Sequence, residues 1–192
     1  MTITIDNLSI QYDNQPILKD FSTIINPNEA IAILGPSGAG KTSIMNAILQ
    51  LIPYEGQITS TEEIMPAAVF QEDRLCYGLS VYSNIKLTCP QLSKEELHHA
   101  IKRAGLTPGT NVNKLSGGMR RRVAILRAIL APSNLLILDE PFKGLDEETL
   151  NTVQNYLLEN TKGLTVIMVT HQIKEAKALG AEILNLKNGA ID

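Results

Sequence analysis

The sequence predicts one α/β domain built on a mainly parallel β-sheet, with an antiparallel β edge subdomain and a small helical insertion. Three observations lead there. The chain has 192 residues, enough for one well-buried core and not for two. Short apolar runs recur at residues 30–34, 67–70, 135–138, 166–169 and 183–186, several of them continuous rather than alternating, as in strands buried between two helical layers. Helical patterns separate the runs, the alternation expected of a parallel sheet.

Taken in order, residues 3–5 and 8–12 are β-rich. The turn residues Asp13-Asn14, Asn26-Pro27-Asn28 and Glu55-Gly56 follow, so residues 1–60 should include an antiparallel edge sheet. The apolar run at 30–34 leads through a glycine-rich stretch into a helical pattern at 44–51. Residues 74–113 change character. Ser93 and Glu96 form an S-x-x-E capping box, and Leu97, Ala100, Ile101 and Ala104 follow at helical spacing until Gly105 and Pro108 end the run. We therefore expect a single domain over 1–192, with 1–73 and 114–192 as the core and 74–113 as the helical insertion. A helical run at 120–130 then precedes the strand at 135–138.

Composition narrows the function. Hydrophobic residues make up 44% of the chain and charged residues 19%, as in a folded globular protein rather than a disordered one. Lys and Arg number 17 against 20 Asp and Glu, a formal charge of −3, which argues against a large nucleic-acid footprint. The longest apolar candidate for a bilayer span, 123–131, is short and interrupted by Arg127. The opening MTITIDNLSIQYD lacks a basic then apolar leader pattern, so a cytoplasmic location is expected. Cys76 and Cys89 show no CxxC spacing and read as reduced packing residues.

The chemistry starts at Gly35-Pro36-Ser37-Gly38-Ala39-Gly40-Lys41-Thr42-Ser43, which fits G-x-x-x-x-G-K-[ST] between a strand and a helix. Glycine lets such a loop take positive φ and present backbone N–H groups to a phosphate, and the following helix N-terminus favours the anion. Lys41 should neutralise the β- and γ-phosphates, and Thr42 should offer its hydroxyl to Mg²⁺. A strand ending in Asp139-Glu140 brings two carboxylates to the sheet edge where α/β proteins bind ligands. Asp139 would hold Mg²⁺, and Glu140 would orient or deprotonate the attacking water. These are the parts of a P-loop NTPase.

Leu115-Ser116-Gly117-Gly118-Met119 discriminates further. In order with the other motifs, it resembles the LSGGQ stretch of ATP-binding cassette (ABC) ATPases, and the resemblance covers essentially the whole chain. A small GTPase is disfavoured, because Asn113-Lys114-Leu115-Ser116 lacks the Asp of NKxD. The family resemblance implies an adenine-stacking aromatic at Tyr12, where packing on the sheet is the competing role. It implies that Gln71 touches Mg²⁺ and water, that Asp146 faces a second subunit, and that His171 senses the γ-phosphate. Ser116, Gly117 and Gly118 would hold the ATP bound by a partner's Lys41.

The segment FQEDRL and the stretch EPFKGLD are similar to importers of nitrate, sulfonate and taurine, with Cys76-Tyr77-Gly78 as a departure. The resemblance implies an ATP-hydrolysing transporter subunit that dimerises on ATP and acts from the cytoplasmic face of the membrane. Its implied partners are permease subunits, a second ATPase subunit forming a homodimer, and a solute-binding protein, with no nucleic acid. The alternative is the ATPase of an exporter or a lipid-releasing complex. Residues 75–82 are unusually apolar for a loop and could dock a membrane subunit or pack the insertion. Arg120, Arg121, Arg122 and Arg127 are expected in salt bridges or dimer electrostatics, and the adjacent His98 and His99 diverge too far to share a metal.

Overall fold

A computed structural model of the chain describes residues 1–187, 190 and 191. In chain order the elements are β1 (Ile3–Tyr12), β2 (Gln15–Ile25), β3 (Ala30–Leu34), α1 (Lys41–Ile48), β4 (Glu55–Ser60), β5 (Pro66–Val69), α2 (Val81–Lys86), α3 (Lys94–Arg103), α4 (Gly117–Leu130), β6 (Leu135–Asp139), α5 (Glu147–Asn160), β7 (Thr165–Thr170), α6 (Ile173–Ala178), β8 (Glu182–Lys187) and β9 (Ala190–Ile191). A 3₁₀ turn at Val112–Lys114 precedes α4.

The main sheet runs β5-β6-β7-β3-β8-β9. Every pairing from β5 to β8 is parallel, and only β8 with β9 is antiparallel. β6 and β7 are buried at every position, which is why they read as continuous apolar runs. Their side chains alternate between two layers. Ile31, Ile33, Leu135, Ile137, Ile167 and Val169 face α1 and the edge sheet; Ala32, Leu34, Leu136, Leu138, Val166 and Met168 face α4, α5 and α6.

The edge sheet is antiparallel, in the order β2-β1-β4. Asp13 and Asn14 both take positive φ in the β1–β2 turn, as a two-residue hairpin turn requires. The sheet is irregular at Asn7 and Asp20, also at positive φ. There Ser22 Oγ accepts from the Asn7 N–H at 2.9 Å and Ser9 Oγ accepts from the Asp20 N–H at 3.0 Å, so the bulged amides stay paired.

Between β5 and β6, α2, α3 and the first half of α4 enclose a separate apolar cluster that includes Val81, Ile85, Leu97, Ile101, Val112 and Val123. α3 begins with the expected capping box between Ser93 and Glu96. Helix α4 also contributes Ile125, Ala128 and Ile129 to the main core, so this one helix joins the insertion to the sheet. Residues 75–82 divide between two roles: Leu75 and Val81 are buried in the insertion cluster, whereas Tyr77 is 51% and Leu79 38% exposed.

Local expectations change for Cys76, for His98, which the reading of the adjacent pair as solvated side chains puts in water, and for the arginines of α4. Cys89 is buried as anticipated, but Cys76 is exposed and packs nothing into the core. His98 is half-buried with its ring edge-on to Tyr82, while His99 is exposed. The arginines of α4 mostly hold backbone carbonyls: Arg120 caps Leu115 O, Arg122 holds Ala104 O, and Arg127 reaches Asp73 O and Arg74 O. Only Arg121 pairs with a carboxylate, that of Asp73 at 3.4 Å, among the described contacts. Among the described residues no helix is long and apolar enough to cross a membrane.

Candidate functional site

The glycine-rich loop joins the end of β3 to the start of α1, at the carboxyl edge of the parallel sheet. Gly35 is required by close approach, since a Cβ there would lie 2.3 Å from the Leu186 carbonyl oxygen of β8. Gly40, at φ 97°, is the residue before α1 and offers no side-chain cap. The first amides of α1 therefore remain available to an anion. Lys41 folds back over the loop and donates to Gly35 O at 2.9 Å and Pro36 O at 2.8 Å. Burial lowers its pKa, opposed by the charges of Glu140 and Asp139.

β6 delivers the two carboxylates to the same edge. Asp139 is 3% exposed and accepts from Thr42 Oγ1 at 3.3 Å. Burial pushes its pKa up, with the Thr42 hydrogen bond pulling the other way. Glu140 leaves the strand at φ 44°, a costly conformation for a residue with a side chain. Its N–H donates to Val169 O at 2.9 Å, and its carboxylate meets Lys143 Nζ at 2.8 Å and His171 Nε2 at 2.7 Å. Burial raises the Glu140 pKa, but Lys143 and His171 together carry it below the usual carboxylate value.

β7 ends at Thr170, placing His171 over the loop. Its Nδ1 lies 3.0 Å from Gly35 O, so the ring bridges the loop carbonyl and the Glu140 carboxylate. Behind it, the buried Glu175 carboxylate accepts from the Thr170 hydroxyl, whose oxygen accepts from the Gln172 N–H at 3.0 Å. Burial raises the Glu175 pKa.

These groups surround one cleft of about 840 Å³. Tyr12, Ser37, Gly38, Gly40, Lys41, Thr42, Ser43, Gln71, Glu140 and His171 line it. Gly35 and Pro36 act through their carbonyls on Lys41, and Ala39 is buried beneath the loop. Also outside the lining are Asp139, buried behind Thr42, and the turn before α4. Ser116 and Gly117 are exposed, and Ser116, Gly117 and Gly118 are not among the residues lining this cleft. Ser116 Oγ instead accepts from the Met119 N–H at 3.2 Å as the helix cap. Asp146 also caps a helix, accepting from Thr149 N–H and Oγ1, each at 2.9 Å.

Sequence reasoning missed Lys143 and Glu175, and it anticipated a salt bridge for Arg121 but not its contacts with the carbonyls of residues 139–141. Lys143 lies three residues after Glu140, a spacing that a turn closes. Glu175 and Arg121 sit on the buried faces of their helices, beside Ala176 and one turn before Ile125, and a charge on an apolar face is the clue that could have found them.

An anion-ready loop at a helix N-terminus, with Glu140 across one cleft and the buried Asp139 carboxylate against Thr42, defines a phosphate-binding α/β protein of the nucleotide-hydrolysing class. Residues 18–143 match the ABC transporter family, and the chain belongs to it. It is 33% identical to the taurine import ATP-binding protein TauB of Escherichia coli (strain K12), over 97% of this chain and 80% of that protein. The dimeric structure of the bacterial ABC transporter cassette MJ0796 matches with a TM-score of 0.84 at 28% identity, covering 99% of this chain and 96% of that one. The same cassette in a post-hydrolysis state bound to ADP and Pi matches at 0.86 and 27% identity, with the same coverage of both chains. The chain is accordingly an ATPase of the ABC family, and ATP is its nucleotide.

Proposed function

We propose that this chain is the ATP-hydrolysing subunit of a small-solute importer, closing head to tail with a second copy around two ATP molecules. The observation that carries this reading is the division of the site: one cleft holds the loop, Gln71, Glu140 and His171, while the Ser116-Gly117-Gly118 turn lies outside it, facing solvent. A second copy would supply that turn. A head-to-tail pair related by a twofold axis completes both sites at once, and the dimeric form of the related cassette MJ0796 supports it.

In this reading Lys41 leaves its loop carbonyls to bind the β- and γ-phosphates, and Tyr12 stacks on adenine from the rim. Thr42 and Asp139 fit a Mg²⁺ ion: both offer hard oxygen donors 3.3 Å apart, and Asp139 is a carboxylate whose pKa is raised by burial. Bound there with Gln71, the ion would neutralise charge on the phosphates. Glu140 takes a proton from the attacking water at its carboxylate, and its lowered pKa keeps it ionised for that purpose. His171 holds that carboxylate and reaches toward the γ-phosphate. The partner's turn excludes water from the closed site.

Import of taurine-like solutes is supported by the TauB relatives and is tested by reconstituting the chain with its permease in vesicles and measuring ATP-dependent uptake of taurine and other sulfonates. Uptake supports the reading; ATP-dependent efflux alone contradicts it. The subunit would work at the cytoplasmic face of the membrane, served by a solute-binding protein on the other side.

We place the permease contact at Tyr77 and Leu79. Both side chains are exposed while their backbone is fixed, with Asn111 Nδ2 donating to Gly78 O at 3.2 Å and Val112 N–H to Leu79 O at 3.1 Å. Exposed apolar side chains on a rigid segment suit a docking surface. Aspartate at both positions should abolish co-purification with the permease while shifting stability by only about 0.5 kcal/mol. Retained complex, or global unfolding, would contradict the assignment.

Met119 sets the strength of closure. Its side chain is half-buried against the insertion cluster and offers a partner no strong hydrogen bond. Met119→Gln should tighten ATP-driven dimerisation of a Glu140→Gln chain by roughly 0.5–1.5 kcal/mol, the worth of one neutral hydrogen bond. Monomer ATP affinity should barely change, because Met119 does not line the cleft. Weaker dimerisation would show that the lost thioether packing outweighs the gained amide.

A further inference from the structure

Arg121 is 4% exposed, although it lies just inside α4, the helix capped by Ser116. Its guanidinium joins two segments far apart in sequence. Nε donates to Pro141 O at 2.8 Å, and Nη2 donates to Asp139 O at 2.8 Å and Glu140 O at 2.7 Å. On the other edge, Nη1 donates to Phe70 O, to Gln71 O at 3.4 Å and to Asp73 Oδ1 at 3.4 Å. A planar fork with five N–H groups can span both sets of acceptors, whereas the compact head of a lysine cannot. Three successive carbonyls, 139 to 141, converge on one cation where Glu140 is held at φ 44°, a conformation that persists only when its surroundings enforce it.

We infer that Arg121 is a positioning residue for hydrolysis, holding the Glu140 turn in its strained conformation and tying it to the Gln71 segment. The inference rests on the reading of Glu140 as the group that acts on water. Through Arg121, a displacement of residues 70–73 is passed to the backbone that aims the Glu140 carboxylate. Because α4 also begins at the Ser116 turn, the same guanidinium links the surface offered to a partner's ATP with the chain's own hydrolytic groups.

The test uses the purified full chain, with Arg121→Ala and Arg121→Lys compared for kcat, KM, binding of a non-hydrolysable ATP analogue and melting temperature. In both variants kcat should fall roughly tenfold to a hundredfold, the cost of misplacing a reacting group, while analogue affinity and KM stay within about threefold because the phosphate loop is untouched. Millimolar guanidinium should restore kcat several-fold in Arg121→Ala, and should do nothing for Lys41→Ala. A wild-type kcat in either variant would overturn the inference. So would a parallel collapse of kcat, affinity and melting temperature without rescue, which marks a purely structural role. Should Arg121→Ala fail to fold, Arg121→Lys decides alone by the same kcat criterion. Hydrolysis left unchanged by both Lys41→Ala and Glu140→Gln would overturn the site reading itself, and the inference with it.

Discussion

Replacing Lys41 with alanine should lower ATP turnover by roughly a thousandfold, the upper range for removing one preorganised charge from a transition state. Lys41 is 6% exposed and puts a cation at the head of α1 within the fields of Glu140 and Asp139. Without it, phosphate charge would face Glu140 in the cleft and the buried Asp139 behind Thr42 with no ammonium to offset them, and like charges beside a protein repel more than in bulk water. ATP affinity should fall as well, because the ground-state phosphates carry the same charge. Turnover assayed by phosphate release from the purified variant checks this, and an unchanged rate would remove the loop from the mechanism.

Glu140→Gln should lower turnover by roughly a hundredfold to ten-thousandfold, the usual contribution of a positioned base, while ATP binding persists. Glutamine matches the size of glutamate and meets the same backbone at φ 44°, but its amide takes no proton at neutral pH. With hydrolysis blocked, ATP should hold two copies together, so size-exclusion chromatography with light scattering should show a dimer with ATP and a monomer without. A monomer at every nucleotide concentration would contradict closure around ATP.

The parallel sheet was legible because burial on both faces leaves β3, β6 and β7 as uninterrupted apolar runs. β2 and β4 were harder to read: both expose most of their residues, and the irregularity at Asp20 breaks the alternation of β2. Two helices begin earlier than their apolar pattern suggests. α1 starts at Lys41, after a glycine rather than a capping side chain, and α4 starts at Gly117, where two poor helix formers follow the Ser116 cap.

In the site, the loop and the carboxylate pair stood out because contiguous residues carry them. Lys143 and Glu175 did not, because each is a single charge that no motif marks, although their partners Glu140 and Thr170 lie only three and five residues away; the carbonyl contacts of Arg121 did not, because its acceptors lie 18 to 51 residues away. The α4 arginines looked electrostatic in sequence, yet most of them close backbone carbonyls that the folded insertion leaves without helical or sheet partners.

The central claim is that each working site combines Lys41 of one copy with the Ser116 turn of the other. Mixing Lys41→Ala with Ser116→Arg chains, each inactive alone, tests it directly. In a mixed dimer, one site pairs the two damaged elements and the other pairs an intact loop with an intact turn. The account predicts that the equimolar mixture regains about a quarter of wild-type ATPase activity, since half of the randomly formed dimers are mixed and each has one good site. A mixture as inactive as its components would contradict the shared site.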